Sequence, residues 1–211
     1  MEQISEWFKY LMNSEELIRT GGLITITLII FIENGIIFGF FLPGDYLLFL
    51  SGVFCGTKLL NVPVSLLMFC VFAASVVGSL LGYIIGRHFG DGIQTRPDSL
   101  FFKKKYIENT RKYFEKYGSQ TLVIARFLPV IRTFSPILAG IVKMNFYKFM
   151  LFNVLGGFIW TFVLVGGGFY FGEKFPWIVD YVQYIIFFFL GITTFTVIRG
   201  YLNAKKELSD M

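Results

Sequence analysis

Residues 59–86 contain no Asp, Glu, Lys or Arg. About 20 residues cross the ~30 Å hydrocarbon layer of a bilayer, so this run is long enough to span one. Residues 149–172 are equally uncharged, and residues 21–42 and 175–198 each hold a single acid, Glu33 and Asp180. The chain is 55% hydrophobic and 19% aromatic. Those residues are gathered into blocks and do not alternate as in a soluble core, so the sequence reads as an all-α integral membrane protein.

Charge inside the apolar stretches is the next constraint. Glu33 precedes Phe41-Leu42-Pro43 and Gly44-Asp45 follows it, while Phe127-Leu128-Pro129 lies between Arg126 and Arg132. Each ionic side chain would cost roughly 2.5 to 3.5 kcal/mol at the centre of a lone inserted helix. Sliding the sequence by 86 positions superposes Phe41-Leu42-Pro43 on Phe127-Leu128-Pro129, Gly82 on Gly168, Tyr83 on Phe169 and Gly86 on Gly172. This reads as a degenerate internal duplication. The second interrupted segment holds Arg126, Pro129, Arg132 and Pro136, too many breaks and charges for one straight helix.

A re-entrant hairpin is expected there, and another in the first half turning near Pro43-Gly44. Each half then crosses the membrane an odd number of times and the halves are inverted. The expected plan is an N-terminal amphipathic segment over 1–20, a membrane domain over 21–199 and a tail over 200–211. Within the domain, repeat one covers about 24–90, a loop 87–118, repeat two about 119–172, and an additional C-terminal transmembrane helix 177–198. The hairpin breaks are Pro43, Gly44, Pro129 and Pro136. If residues 21–42 cross fully instead, the N-terminus changes sides; the sequence leaves both arrangements open. The first residues lack the basic start of a secretory signal, so the N-terminus is expected to be retained.

Residues 87–118 carry eight Lys or Arg against four acids, which places that loop, and with it the C-terminus, in the cytoplasm. The net charge of +5 is distributed by membrane side and not along an aromatic-studded groove, so no nucleic-acid partner is expected. Cys55 and Cys70 have no metal or redox spacing and read as free packing thiols. The sole histidine, His88, cannot build a two-His metal site. Ser51-Gly52 lies in no nucleophile elbow, and no nucleotide-binding motif is present. No enzyme, metal or cofactor is expected.

Re-entrant backbone is tolerated at membrane depth only around an enclosed or watered cavity, so the two hairpins are expected to meet. There Arg126 and Arg132 offer forked donors suited to phosphate, and Glu33 and Asp45 would balance them or exchange protons, the coupling ion this reading admits. An anion with an apolar tail is the natural guest. The same four residues also fit a structural charge network. Asn153 and Trp160 are candidates to line the cavity, with core packing the plainer role for Trp160. Gly78, Gly82, Gly86 and Gly90 form a small-residue stripe for close helix approach.

These residues resemble the DedA family of bacterial membrane proteins, which share the VTT domain with eukaryotic lipid scramblases. The resemblance runs from about Gly22 to Arg199. Its carriers are Phe31-x-Glu33, Leu42-Pro43-Gly44-Asp45 with Ser51-Gly52, Gly82-Tyr83-x-x-Gly86, and Ala125-Arg126-Phe127-x-Pro129-x-x-Arg132-x-x-x-Pro136-x-x-Ala139-Gly140, followed by Met144, Phe149, Asn153, Gly156 and Trp160. It implies facing re-entrant hairpins in the cytoplasmic membrane of a bacterium. It also implies movement of a phosphorylated lipid, above all undecaprenyl phosphate, back to the cytoplasmic leaflet for cell-envelope synthesis. Phosphatidylethanolamine is an alternative substrate, and ion or small-solute transport an alternative activity. Matched residue by residue, Glu33, Asp45, Arg126 and Arg132 fall on the family's essential acidic and basic positions, although many members have Glu where this chain has Asp45. A homo-oligomer is compatible with this reading.

Overall fold

A computed structural model describes residues 14–36, 44–95 and 118–175, together with the isolated positions 177, 184 and 191. Pro43, most of the 87–118 loop and of the 177–198 segment, the first 13 residues and the tail lie outside the described residues. Those described form α1 (Ser14–Gly35), α2 (Gly44–Phe54), α3 (Val64–Thr95), α4 (Thr121–Ala125), α5 (Pro129–Ile141), α6 (Phe146–Thr161), a π-helical turn (Phe162–Gly166) and α7 (Gly167–Lys174). There is no β-strand among them; Cys55 and Leu60 form one isolated bridge.

Among the described residues, two helical stretches are long and apolar enough to cross a membrane. Val64–His88 and the continuous run Phe146–Lys174, of 25 and 29 residues, extend about 37 and 43 Å at 1.5 Å per residue. They pack antiparallel. Tyr83 stacks on Phe149 with centroids 4.3 Å apart, while Phe72 meets Phe158 edge-on at 6.3 Å, so residue numbers run in opposite directions along the contact. The 11-residue α2 reaches only about 16 Å. α1 is broken at Gly22, whose φ of 52° is a left-handed conformation that an L side chain adopts at a cost. Before that break Ile18 is fully buried in the main apolar cluster with Ile26, Ile30, Leu47, Leu67 and Val71, so the end of the N-terminal segment joins the core.

The two halves exchange partners. In the first-half crossing, a Cβ on Gly86 would overlap the carbonyl of Ile137 in α5, and one on Gly82 would press on Ile137 and Pro136. In the second-half crossing, Gly168 lies as tightly against the carbonyl of Phe49 in α2, and Gly172 against that of Val53. Gly78 receives the end of α1 at Phe31, Asn34 and Gly35. Backbone thus approaches backbone at Gly78, Gly86, Gly168 and Gly172, as small-residue helix interfaces allow.

The two prolines of the second half act differently. Pro129 occupies the first turn of α5, where its missing N–H costs nothing, and Leu128 before it is extended (φ −110°, ψ 105°). This is the break. Pro136 is not one, contrary to expectation: α5 runs through it from Pro129 to Ile141. A proline leaves the carbonyl four residues earlier without its helical donor. Here that carbonyl belongs to Arg132, and the Ser135 hydroxyl donates to it at 3.3 Å.

Candidate functional site

The midpoint of Val64–His88 is Val76 and that of Phe146–Lys174 is Trp160. The ionic side chains gather at this level. Arg132, on the second turn of α5, is 2% exposed and forms ion pairs with Glu33 from α1 and Asp45 from the first turn of α2. Each nitrogen of its fork serves one acid: Nη2 donates to Glu33 Oε1 and Nη1 to Asp45 Oδ1. The indole Nε1 of Trp160 donates to the same Asp45 oxygen at 3.1 Å. The guanidinium carbon also lies 4.7 Å from the centre of the Trp160 ring, within the range of a cation–π attraction. Trp160 is therefore part of the ionic cluster and does more than pack.

Glu33 reaches its partner because α2 begins with glycine. A Cβ at Gly44 would coincide with the Glu33 carboxylate. Four elements therefore meet at Arg132: α1, α2, α5 and α6. Among the described residues Glu33 is 2% and Asp45 18% exposed in the side chain, so the two acids differ in access. Five buried polar atoms of the described residues have no hydrogen-bond partner among them: Glu33 Oε2, Asn34 Oδ1, Arg132 Nε, Thr133 Oγ1 and Thr161 Oγ1. All belong to members of this cluster or to their neighbours in the chain.

Arg126 lies elsewhere. It follows α4 in the bend before Pro129 and is 4% exposed. Its Nη2 donates to Ser79 Oγ at 3.1 Å and to Asn153 Oδ1, and its Nη1 reaches Ser75 Oγ at 3.5 Å. No carboxylate pairs with it among the described residues. Gly156 and Gly157 of α6 make room for it: a Cβ at Gly156 would stand 2.8 Å from its Cδ, and one at Gly157 3.6 Å from its Cζ. The expected pair of arginines is therefore divided between an acidic cage and a neutral pocket. Of the two proposed lining residues, Asn153 belongs to the pocket and Trp160 to the cage.

Ser75 and Ser79 were not anticipated from the sequence. Their i, i+4 spacing in an otherwise uncharged crossing puts both on one helix face, and that was the available signal. Farther along α3, the Tyr83 hydroxyl donates to the Met144 carbonyl at 2.6 Å and accepts from Arg87 Nη1 at 2.9 Å, tying the start of α6 to α3. His88 and Trp177 are exposed, Cys55 and Cys70 are free thiols, and no group of metal-ligating residues occurs among the described residues.

The sequence of the chain has counterparts among known proteins. The VTT domain matches residues 42–170. Protein DedA of Escherichia coli strain K12 is 33% identical over 180 residues, covering 85% of this chain and 80% of DedA. An uncharacterized membrane protein of Mycobacterium tuberculosis is 35% identical over 197 residues, covering 93% and 85%. Inner membrane protein YqjA of Escherichia coli strain K12 is 32% identical over 145 residues, covering 69% and 65%. No solved structure matches. The chain belongs to the DedA family of VTT-domain membrane proteins.

Proposed function

We propose that this protein is a lipid translocase without covalent chemistry, which carries a phosphorylated lipid, undecaprenyl phosphate in the first place, from the outer to the cytoplasmic leaflet of a bacterial inner membrane. The observation that carries this reading is the position of Arg126 and Arg132: two nearly inaccessible guanidinium groups halfway along two apolar spans. A cation is expensive at that depth and marks a pathway for a partner of opposite sign. The unpartnered buried polar atoms around Arg132 support a chamber that receives a polar guest. An apolar tail can remain among the lipid-facing side chains while its headgroup crosses.

The packing supports two re-entrant hairpins in inverted halves. α2 starts beside Trp160 and ends beside Gly172, and α5 carries Arg132 near its start and ends with Gly140 against Tyr83 and Arg87. Each helix thus begins at the level of the charge cluster and runs outward, toward opposite ends of the two crossings. Broken helices meeting at mid-depth are the architecture in which transporters place their substrates. Glu33 and Asp45 hold Arg132 while the chamber is empty; when phosphate takes over that arginine, an acid accepts a proton, which couples transport to a pH gradient.

The test is inward movement of fluorescent undecaprenyl phosphate in proteoliposomes containing the full chain. Wild type moves it and Arg126→Ala does not; normal movement by Arg126→Ala rejects the phosphate grip. Movement of labelled phosphatidylethanolamine in preference to the polyprenyl phosphate would reassign the substrate. Proton coupling predicts slower net uptake when a pH gradient is collapsed, and indifference to the gradient leaves the acids a balancing role.

A further inference from the structure

The pocket around Arg126 is built in a way that the general reading of two phosphate-gripping arginines does not require. Its three partners are neutral acceptors, and two are held in one orientation by other bonds. The Asn153 amide donates through Nδ2 to the Val76 carbonyl at 3.0 Å, which turns Oδ1 toward Arg126. The Ser75 hydroxyl donates to the Phe72 carbonyl at 3.0 Å, which presents its lone pairs to the guanidinium. Ser79 supplies the third contact from one turn along α3. Neutral acceptors aim and hydrogen-bond a guanidinium without cancelling its charge. A buried cation left in that condition attracts an anion strongly, since desolvation has removed the competing water.

The Arg132 cage has the opposite balance. One guanidinium there faces two carboxylates, so the cage is short of positive charge by one when all three are ionised. With both acids ionised an entering anion meets repulsion at the cage, whereas among the described residues no carboxylate pairs with Arg126.

Resting on the lipid-phosphate reading above, we infer that Arg126 is the primary anion seat, and that Ser75, Ser79 and Asn153 are positioning residues whose neutrality selects a phosphate headgroup. The shared chemistry is a phosphate monoester or free phosphate. The glycines at 156 and 157 keep the arginine's reach open, and the apolar exterior of the crossing favours the ester with a hydrocarbon chain.

A carboxylate installed beside Arg126 would occupy the seat from within. The experiment measures binding of dodecyl phosphate, inorganic phosphate and dodecanol to the purified full chain in a neutral detergent, together with thermal unfolding. Wild type binds dodecyl phosphate in preference to the other two. Asn153→Asp weakens that binding by at least ~10-fold, equivalent to about 1.4 kcal/mol, while its unfolding temperature is unchanged or higher because a buried ion pair has formed. Asn153→Ala, which removes the aim but leaves the charge, weakens binding less than Asn153→Asp does. Ser79→Asp, approaching from the other helix, gives the same loss of binding and keeps the question decidable if Asn153→Asp fails to fold.

Dodecyl phosphate binding to Asn153→Asp as tight as to wild type overturns the seat while leaving the lipid-phosphate reading in place. Equal binding of inorganic phosphate overturns the choice of a lipid ester. If wild type binds neither phosphate, the translocase reading falls and this inference with it.

Discussion

Arg132 and Arg126 are six positions apart, both nearly inaccessible, and surrounded by opposite kinds of neighbour. Arg132 is gripped by two carboxylates and an indole from three other helices; Arg126 rests on two serines and an asparagine. The first arrangement ties α1, α2 and α6 to α5 through charge. The second keeps a charge available. The contrast teaches that equal burial of like residues implies neither an equal role nor an equal contribution to stability.

The largest effect should come from removing the joint. Arg132→Ala strands Glu33 and Asp45 without their cation, and breaking a buried ion pair in this way costs about 3–5 kcal/mol. Arg126→Ala leaves only neutral groups behind and should cost about 1–3 kcal/mol. Unfolding midpoints of the two variants in the same detergent check the ordering. A reversed order would end the distinction between joint and seat.

A smaller effect sharpens the description of the cage. Trp160→Phe keeps an aromatic face over Arg132 but loses the N–H bond to Asp45, and a hydrogen bond to a charged group contributes about 1.5–3 kcal/mol. The same substitution should leave dodecyl phosphate binding at Arg126 within about twofold, because the polar contacts of Trp160 are with Asp45 and Arg132 of the cage; a large loss of binding would merge the two sites into one. The smallest effect belongs to Ser135→Ala. It frees the Arg132 carbonyl in a proline-interrupted helix and should destabilise by about 1 kcal/mol, again read from the unfolding midpoint. No change would mean that the carbonyl finds another donor.

Much of this could be read before any coordinates, and the reasons differ from residue to residue. The uncharged runs announce the two crossings because hydrocarbon excludes charge over a fixed thickness. Gly78, Gly82 and Gly86 announce close approach, since nothing else about them suits a helix interior. The effect of a proline depends on its neighbours: Leu128 lets Pro129 start a helix, and Ser135 lets the helix continue through Pro136. Arg132 finds Glu33 across 99 residues and Asp45 across 87, pairings that no local periodicity encodes. Trp160 looked like packing because a tryptophan in an apolar run usually packs, and its indole N–H acquires its partner only when α2 is folded against the second crossing. Ser75 and Ser79 offer no signal beyond their i, i+4 spacing, and Arg126 meets them only once the chain is folded.

The glycine seams have a mechanical consequence. Where Gly86 lies against α5, and Gly168 and Gly172 against α2, the nearest neighbours are main-chain atoms, whereas Gly82 faces the Ile137 side chain. A larger residue at Gly86, Gly168 or Gly172 would push the facing main chain away, so these seams set how closely α2 and α5 can lie against the two long helices.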